Sequence, residues 1–103
     1  MNKTYLKDCK ILLVDDSREI QLYLKKILKN KVTSLVSVDN GIEGLIQFNC
    51  NQLDLIISDI NLPKLDGLAM ASLIRDKNLV IPIIFLSSIF LEFSHFFAAK
   101  ASS

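Results

Sequence analysis

Short aliphatic runs alternate along this chain with longer segments whose apolar residues recur every three or four positions. Lys10–Val14 is the first run, and residues 54–58 and Ile83–Leu86 are two more. The runs before Asp15 and Asp59 are expected to be buried strands of a parallel sheet, and Ile83–Leu86 to be a fourth strand. Residues 35–38 are apolar but interleaved with serine, which predicts a short strand at a sheet edge. Between the runs, Ile20, Leu24, Ile27 and Leu28 mark a helix over residues 17–29. Asn40-Gly41 opens a second helix through Ile42, Leu45 and Ile46. Met70, Leu73 and Ile74 form the expected inner stripe of a third helix over residues 68–76, after the breaker-rich stretch Leu62-Pro63-Lys64-Leu65-Asp66-Gly67. Strands alternating with helices of this length predict an α/β fold with a doubly wound parallel sheet. Right-handed crossovers place helices on both of its faces.

That arrangement gives three aspartates a common address. Asp15 and Asp16 follow the first strand and Asp59 follows the third. If those strands are parallel neighbours, all three carboxylates meet at one sheet edge, where open α/β sheets bind ligands. Each carboxylate disfavours ionisation of the next, so such a cluster calls for a counter-charge. A bound divalent cation, Mg2+ before others, is the simplest one. Ser87, just past the fourth strand, belongs to the same edge. A metal held by two carboxylates would neutralise an incoming phosphoryl group, and a free oxygen of Asp59 would serve as the nucleophile. A plainer alternative gives Asp15 and Asp16 buried capping roles without metal. Asp16 with Glu19 three residues on has the form of a helix start. Asp66 is expected to cap its loop.

Composition narrows the setting. The 103 residues are expected to form a single domain, half of them hydrophobic. Twelve basic residues against eleven acidic ones leave a net charge of +1. That balance makes no electrostatic case for nucleic acid or an anionic membrane. Cys9 and Cys50 lack metal-ligand spacing and are expected to be free thiols of a cytoplasmic protein. Neither a signal peptide nor a membrane-length apolar stretch stands out. Residues 89–103 differ from the rest: they carry Phe90, Phe93, Phe96 and Phe97, with Glu92 and Lys100 as charges and His95 as the lone histidine. That segment is expected to be one more helix, and His95 is given no phosphotransfer role.

Over residues 10–88 the chain resembles the receiver domain of bacterial two-component response regulators. The resemblance rests on Leu13-Val14-Asp15-Asp16, on Asp59-Ile60-Asn61 with the Pro63-to-Gly67 loop, and on Pro82-Ile83-Ile84-Phe85-Leu86-Ser87-Ser88. It implies a flavodoxin-like receiver fold, phosphorylated on Asp59 by a sensor histidine kinase or phosphotransfer protein. It further implies that Asp16 and Asp59 ligate Mg2+ directly, Asn61 through its backbone carbonyl, and Asp15 mostly through water. Ser87 takes the switch-hydroxyl position. In that loop, Pro63 and Gly67 are expected to supply the fixed and permissive backbone angles of a tight fold-back.

The family also carries a lysine after a fifth strand. Lys100, which precedes Ala101 with no apolar run before it, is not assigned that role. The expected fold therefore lacks the fifth strand and last helix, and the fourth-strand edge is expected to favour self-association. Slower phosphorylation and a weaker switch are expected with it. Two competing functions remain on the residues alone. One is a truncated, phosphorylation-incompetent interaction module or remnant. The other is a phosphatase with an aspartyl nucleophile, which needs an acid two residues past Asp59, where this chain has Asn61.

Overall fold

The structure, a computed structural model, describes residues 8–86. Strands β1 (Lys10–Val14), β2 (Ser34–Val38), β3 (Leu55–Asp59) and β4 (Ile83–Leu86) alternate with helices α1 (Arg18–Leu28), α2 (Gly41–Cys50) and α3 (Gly67–Lys77). The four strands form one parallel sheet in the order β2-β1-β3-β4, so β2 does lie at an edge. Among the described residues β4 pairs with β3 alone. Residues 87–103, with the expected tail helix, Ser87, His95, Lys100 and the four tail phenylalanines, lie outside the described residues.

Strand alternation divides the core in two. Leu12, Val14 and Ile56 pack with Leu62, Met70, Ile74 and Ile81, on the side covered by α2 and α3. Ile11, Leu13 and Ile57 face the other way, against Leu24 and Leu28 of α1. Both central strands are thus buried on two faces, which is why their sequences run aliphatic without alternation.

Two glycines, rather than the periodic aliphatics, set how α2 meets its neighbours. A Cβ on Gly44 would lie 2.6 Å from Met70 Sδ and 3.1 Å from Val14 Cγ2, and one on Gly41 would overlap the Leu65 carbonyl. With those two buried, Ile42 and Ile46 are carried roughly a third to a half of a turn away and are 44% and 45% exposed. Ile27 of α1 is likewise exposed, while Ile20 is buried and Leu24 and Leu28 are half-buried. In α3 the inner stripe is Gly67, Met70 and Ile74, and Leu73 is exposed, contrary to expectation. Leu73 lies roughly a quarter turn off the line that Gly67 imposes.

Gly67 acts by close approach, not by a special angle. No glycine among the described residues has positive φ; the left-handed residue of this loop is Lys64, at φ 68°. Leu65 N–H donates to the Pro63 carbonyl across it at 2.7 Å, closing a three-residue turn. A Cβ on Gly67 would overlap the backbone carbonyl of Asp59. Gly67→Ala is therefore expected to cost about 1–3 kcal/mol, a fall in melting midpoint of about 4–8 °C per kcal/mol. Leu68→Ala, next door on the exposed side, is the control and should move the midpoint little. Equal melts for the two variants would remove the close approach as a constraint.

Candidate metal centre

The register of the sheet brings the acids together. Val14 pairs with Ser58 across β1 and β3, so Asp15 and Asp59 each come one step later on neighbouring strands. Ligand atoms of Asp15, Asp16 and Asp59 all lie within 4.8 Å of one another. Asp15 and Asp59 are buried, and Asp16 is exposed.

Main-chain contacts hold this floor. Asp15 N–H donates to the Val38 carbonyl at 3.0 Å, and Asp15 Oδ1 accepts from Ser17 N–H at 2.8 Å. Ile60 N–H donates to Asp59 Oδ1 at 2.7 Å, and the buried Ser58 hydroxyl donates to the Asp59 carbonyl at 2.8 Å. Asp15 Oδ2 is buried and has no hydrogen-bond partner. A buried carboxylate oxygen left bare is costly. An all-oxygen set with one orphaned oxygen fits a hard divalent cation.

Asp16 does not cap α1. Ser17 does, its hydroxyl accepting from Ile20 N–H at 3.3 Å. Helix α1 begins one residue later than the Asp16 pattern implied, which leaves the Asp16 carboxylate at the cluster. Asp66 caps α3 as expected, accepting from Ala69 N–H at 2.8 Å. Asn61 is exposed, two residues past Asp59 on the loop that leads to α3. Ser87 lies outside the described residues; the last described residue of β4, Leu86, pairs with Asp59.

Asn40, which the sequence marks as opening α2, does so, whereas Gln21 went unread. Asn40 is buried, caps α2 through Glu43 N–H at 2.9 Å and donates to Asp39 Oδ1 at 2.8 Å. Gln21 reaches from α1 to the carbonyls of Asp15, just past β1, and of Val38, at the end of β2. Its signal was a polar residue three and seven positions before Leu24 and Leu28, on the inner side of an amphipathic helix.

Burial pushes the Asp15 carboxyl up to about 6 from its ordinary 3.8; the Ser17 N–H opposes the rise, and the charges of Asp59 and then Asp16 add to it. Desolvation and like charge thus outweigh the one hydrogen bond that favours the ion.

The order β2-β1-β3-β4, with α1 on one face and α2 and α3 on the other, is a flavodoxin-like α/β fold with an acidic carboxyl edge. The family model described as "Response regulator receiver domain" matches residues 11–99. The chain therefore belongs to the response regulator receiver domain family. The alkaline phosphatase synthesis transcriptional regulatory protein PhoP of Bacillus subtilis is 34% identical over 79 residues, which are 77% of this chain and 33% of PhoP. The chain thus spans about a third of that curated relative's length. The crystal structure of response regulator protein TrrA from Thermotoga maritima in complex with Mg2+-BeF is 36% identical, with a TM-score of 0.72, covering 78% of this chain and 70% of TrrA. TrrA in complex with histidine kinase ThkA aligns at a TM-score of 0.71 and 36% identity, over 78% of this chain and 69% of that one.

The Asp15 shift carries a sign. Its folded pKa lies above the ordinary value, so the folded chain takes up a proton that the unfolded chain leaves until lower pH. Metal-free stability contributed by Asp15 is therefore full below about 3.8 and is lost as pH rises through about 6. The metal-free melting midpoint is expected to be higher at pH 5 than at pH 7, and Asp15→Asn should flatten that difference. At pH 7, Mg2+ at about 100 times its Kd should add about 2.7 kcal/mol, roughly 10 °C or more for a domain of this size. Asp15→Asn should remove most of that gain. A midpoint indifferent to both pH and Mg2+ would contradict the strained cluster.

Proposed function

We propose that this chain is a phosphoacceptor of a two-component system, taking a phosphoryl group on Asp59 from a sensor histidine kinase or phosphotransfer protein in the cytoplasm. The observation that carries this reading is the bare, buried Asp15 Oδ2 within a three-carboxylate cluster. The family and the kinase-bound relative supply the donor class. Mg2+ is the cofactor, which Asp16, Asp59 and the Asn61 carbonyl would hold, with Asp15 in support. When bound it offsets the acids' charge and that of the transferring phosphoryl oxygens.

Asp59 Oδ1 is engaged by Ile60 N–H, so Oδ2 is the oxygen offered to phosphorus. The new O–P bond forms as the P–N bond to the donor imidazole breaks. Ser87 supplies a hydroxyl to the phosphoryl group. The domain spans residues 1–103, with the family's motifs over 10–88 and a Phe-rich segment after them. The chain takes the phosphoryl group upon itself and signals by protein contact rather than turning over a substrate. Asn61 argues against the aspartyl phosphatase alternative, because an amide cannot act as the acid.

The test is incubation with Mg2+ and acetyl phosphate, read by intact mass. One added phosphoryl group on the wild type and none on Asp59→Asn is expected. An adduct that survives Asp59→Asn would sink the assignment, as would no adduct where a complete receiver reacts.

A second partner we propose is another copy of this chain, paired along the outer edge of β4. Support comes from its pairing with β3 alone among the described residues and from the half-exposed Ile84. Sedimentation velocity should show association that weakens on dilution and in Ile84→Lys. A concentration-independent monomer would refute it.

A further inference from the structure

We propose that Gln21 is the positioning residue that holds the Asp15–Asp16 turn in the geometry its metal requires, an inference that rests on the Mg2+ site proposed above. Gln21 sits in the first turns of α1, beside the buried Ile20. Its Nε2 donates to the Asp15 carbonyl at 2.6 Å and to the Val38 carbonyl at 3.1 Å. A primary amide carries two N–H donors on that nitrogen, so both are engaged. The Val38 carbonyl also accepts from Asp15 N–H at 3.0 Å, which fills its two lone pairs.

The consequence lies in the peptide that joins the two acids. The Asp15 carbonyl and the Asp16 nitrogen belong to one planar unit, so holding the oxygen orients the Asp16 Cα. Strands β1 and β2 end at Val14 and Val38. The bond from Asp15 N–H to Val38 is the last rung of their ladder, and Gln21 adds the next contact beyond it. Asp16 is exposed, so packing does not orient its carboxylate; its backbone must. Ser17 N–H fixes Asp15 Oδ1. Gln21 fixes the carbonyl of the same residue. Together they hold the turn in which carboxylate oxygens of Asp15 and Asp16 lie within 4.8 Å of each other and of one from Asp59.

Length and donor count both matter here. Asparagine is one methylene too short, and glutamate would set an acceptor against two carbonyl oxygens. Methionine has similar length and flexibility but donates nothing. Groups that orient a metal ligand without touching the metal commonly change affinity by about 10–100-fold when removed.

The experiment is a Mg2+ titration of the purified chain by calorimetry, on wild type, Gln21→Met and Gln21→Leu, with metal-free melts alongside. The Mg2+ dissociation constant is expected to rise about tenfold or more in both variants. Amide hydrogen exchange at Asp15, whose N–H donates to the Val38 carbonyl that Gln21 also holds, should quicken in the metal-free state. If one variant fails to fold, the other carries the measurement. A lowered melting midpoint with unchanged Mg2+ affinity would overturn the proposal, since a merely structural side chain gives that result. A wild type that takes up no Mg2+ overturns it as well. A wild type that binds Mg2+ in a Gln21-dependent way but takes no phosphoryl group from acetyl phosphate leaves this inference standing and removes the phosphoacceptor reading instead.

Discussion

Repulsion among three carboxylates at one end of a parallel sheet is the constraint around which the rest of the molecule is arranged. The register that pairs Val14 with Ser58 leaves Asp15 and Asp59 side by side, and no slip is open to either strand. A one-residue slip would turn Ile11 and Leu13 out of one core and Leu12 and Val14 out of the other. Hydrophobic burial on two faces thus pins the backbone, and the backbone pins the acids. The cost shows in Asp15, whose ionised form is disfavoured by burial more than the Ser17 N–H favours it. Any cation that fits relieves a strain that the core itself maintains, which couples the stability of the fold to occupancy of the site.

The two central strands were legible because burial on two faces leaves an aliphatic signature, and the aspartates were legible because they end those runs. The helix faces were not. Ile42, Ile46 and Leu73 satisfy helical spacing, yet α2 and α3 are seated by Gly41, Gly44 and Gly67, which have no side chain for a hydrophobic pattern to register. Close backbone approach therefore outranks apolar periodicity in orienting these two helices. The loop after β3 shows the same blindness. Its positive φ falls on Lys64, while Gly67 is needed for room beside Asp59.

Capping was misread for a related reason. Asp16 and Ser17 are both good cap residues, and local sequence does not choose between them. The choice follows from Asp15, whose Oδ1 accepts from Ser17 N–H and so sets the turn that starts the helix at Arg18. Gln21 was overlooked because a polar residue on an inner helical position looks like an interruption until the strand-end carbonyls it meets are in view. Of the site, then, the acids could be read from the chain, but the residues that aim them depend on tertiary neighbours.

The site has a held floor and a more exposed rim. On the floor, Asp59 is fixed at its carbonyl by the Ser58 hydroxyl, at its carboxylate by Ile60 N–H, and on its remaining side by the bare Cα of Gly67. Gly67 N–H in turn donates to the Ile60 carbonyl at 2.8 Å, which ties the start of α3 to the end of β3. The rim runs from Asn61 to Asp66, with Asn61, Pro63, Lys64 and Asp66 exposed and Leu62 buried beneath them. Binding a cation to such a floor requires little ordering of the acids, because main-chain contacts have already done it. A group entering the cluster thus meets carboxylates that are set in advance, beside an exposed loop on which Asn61 stands.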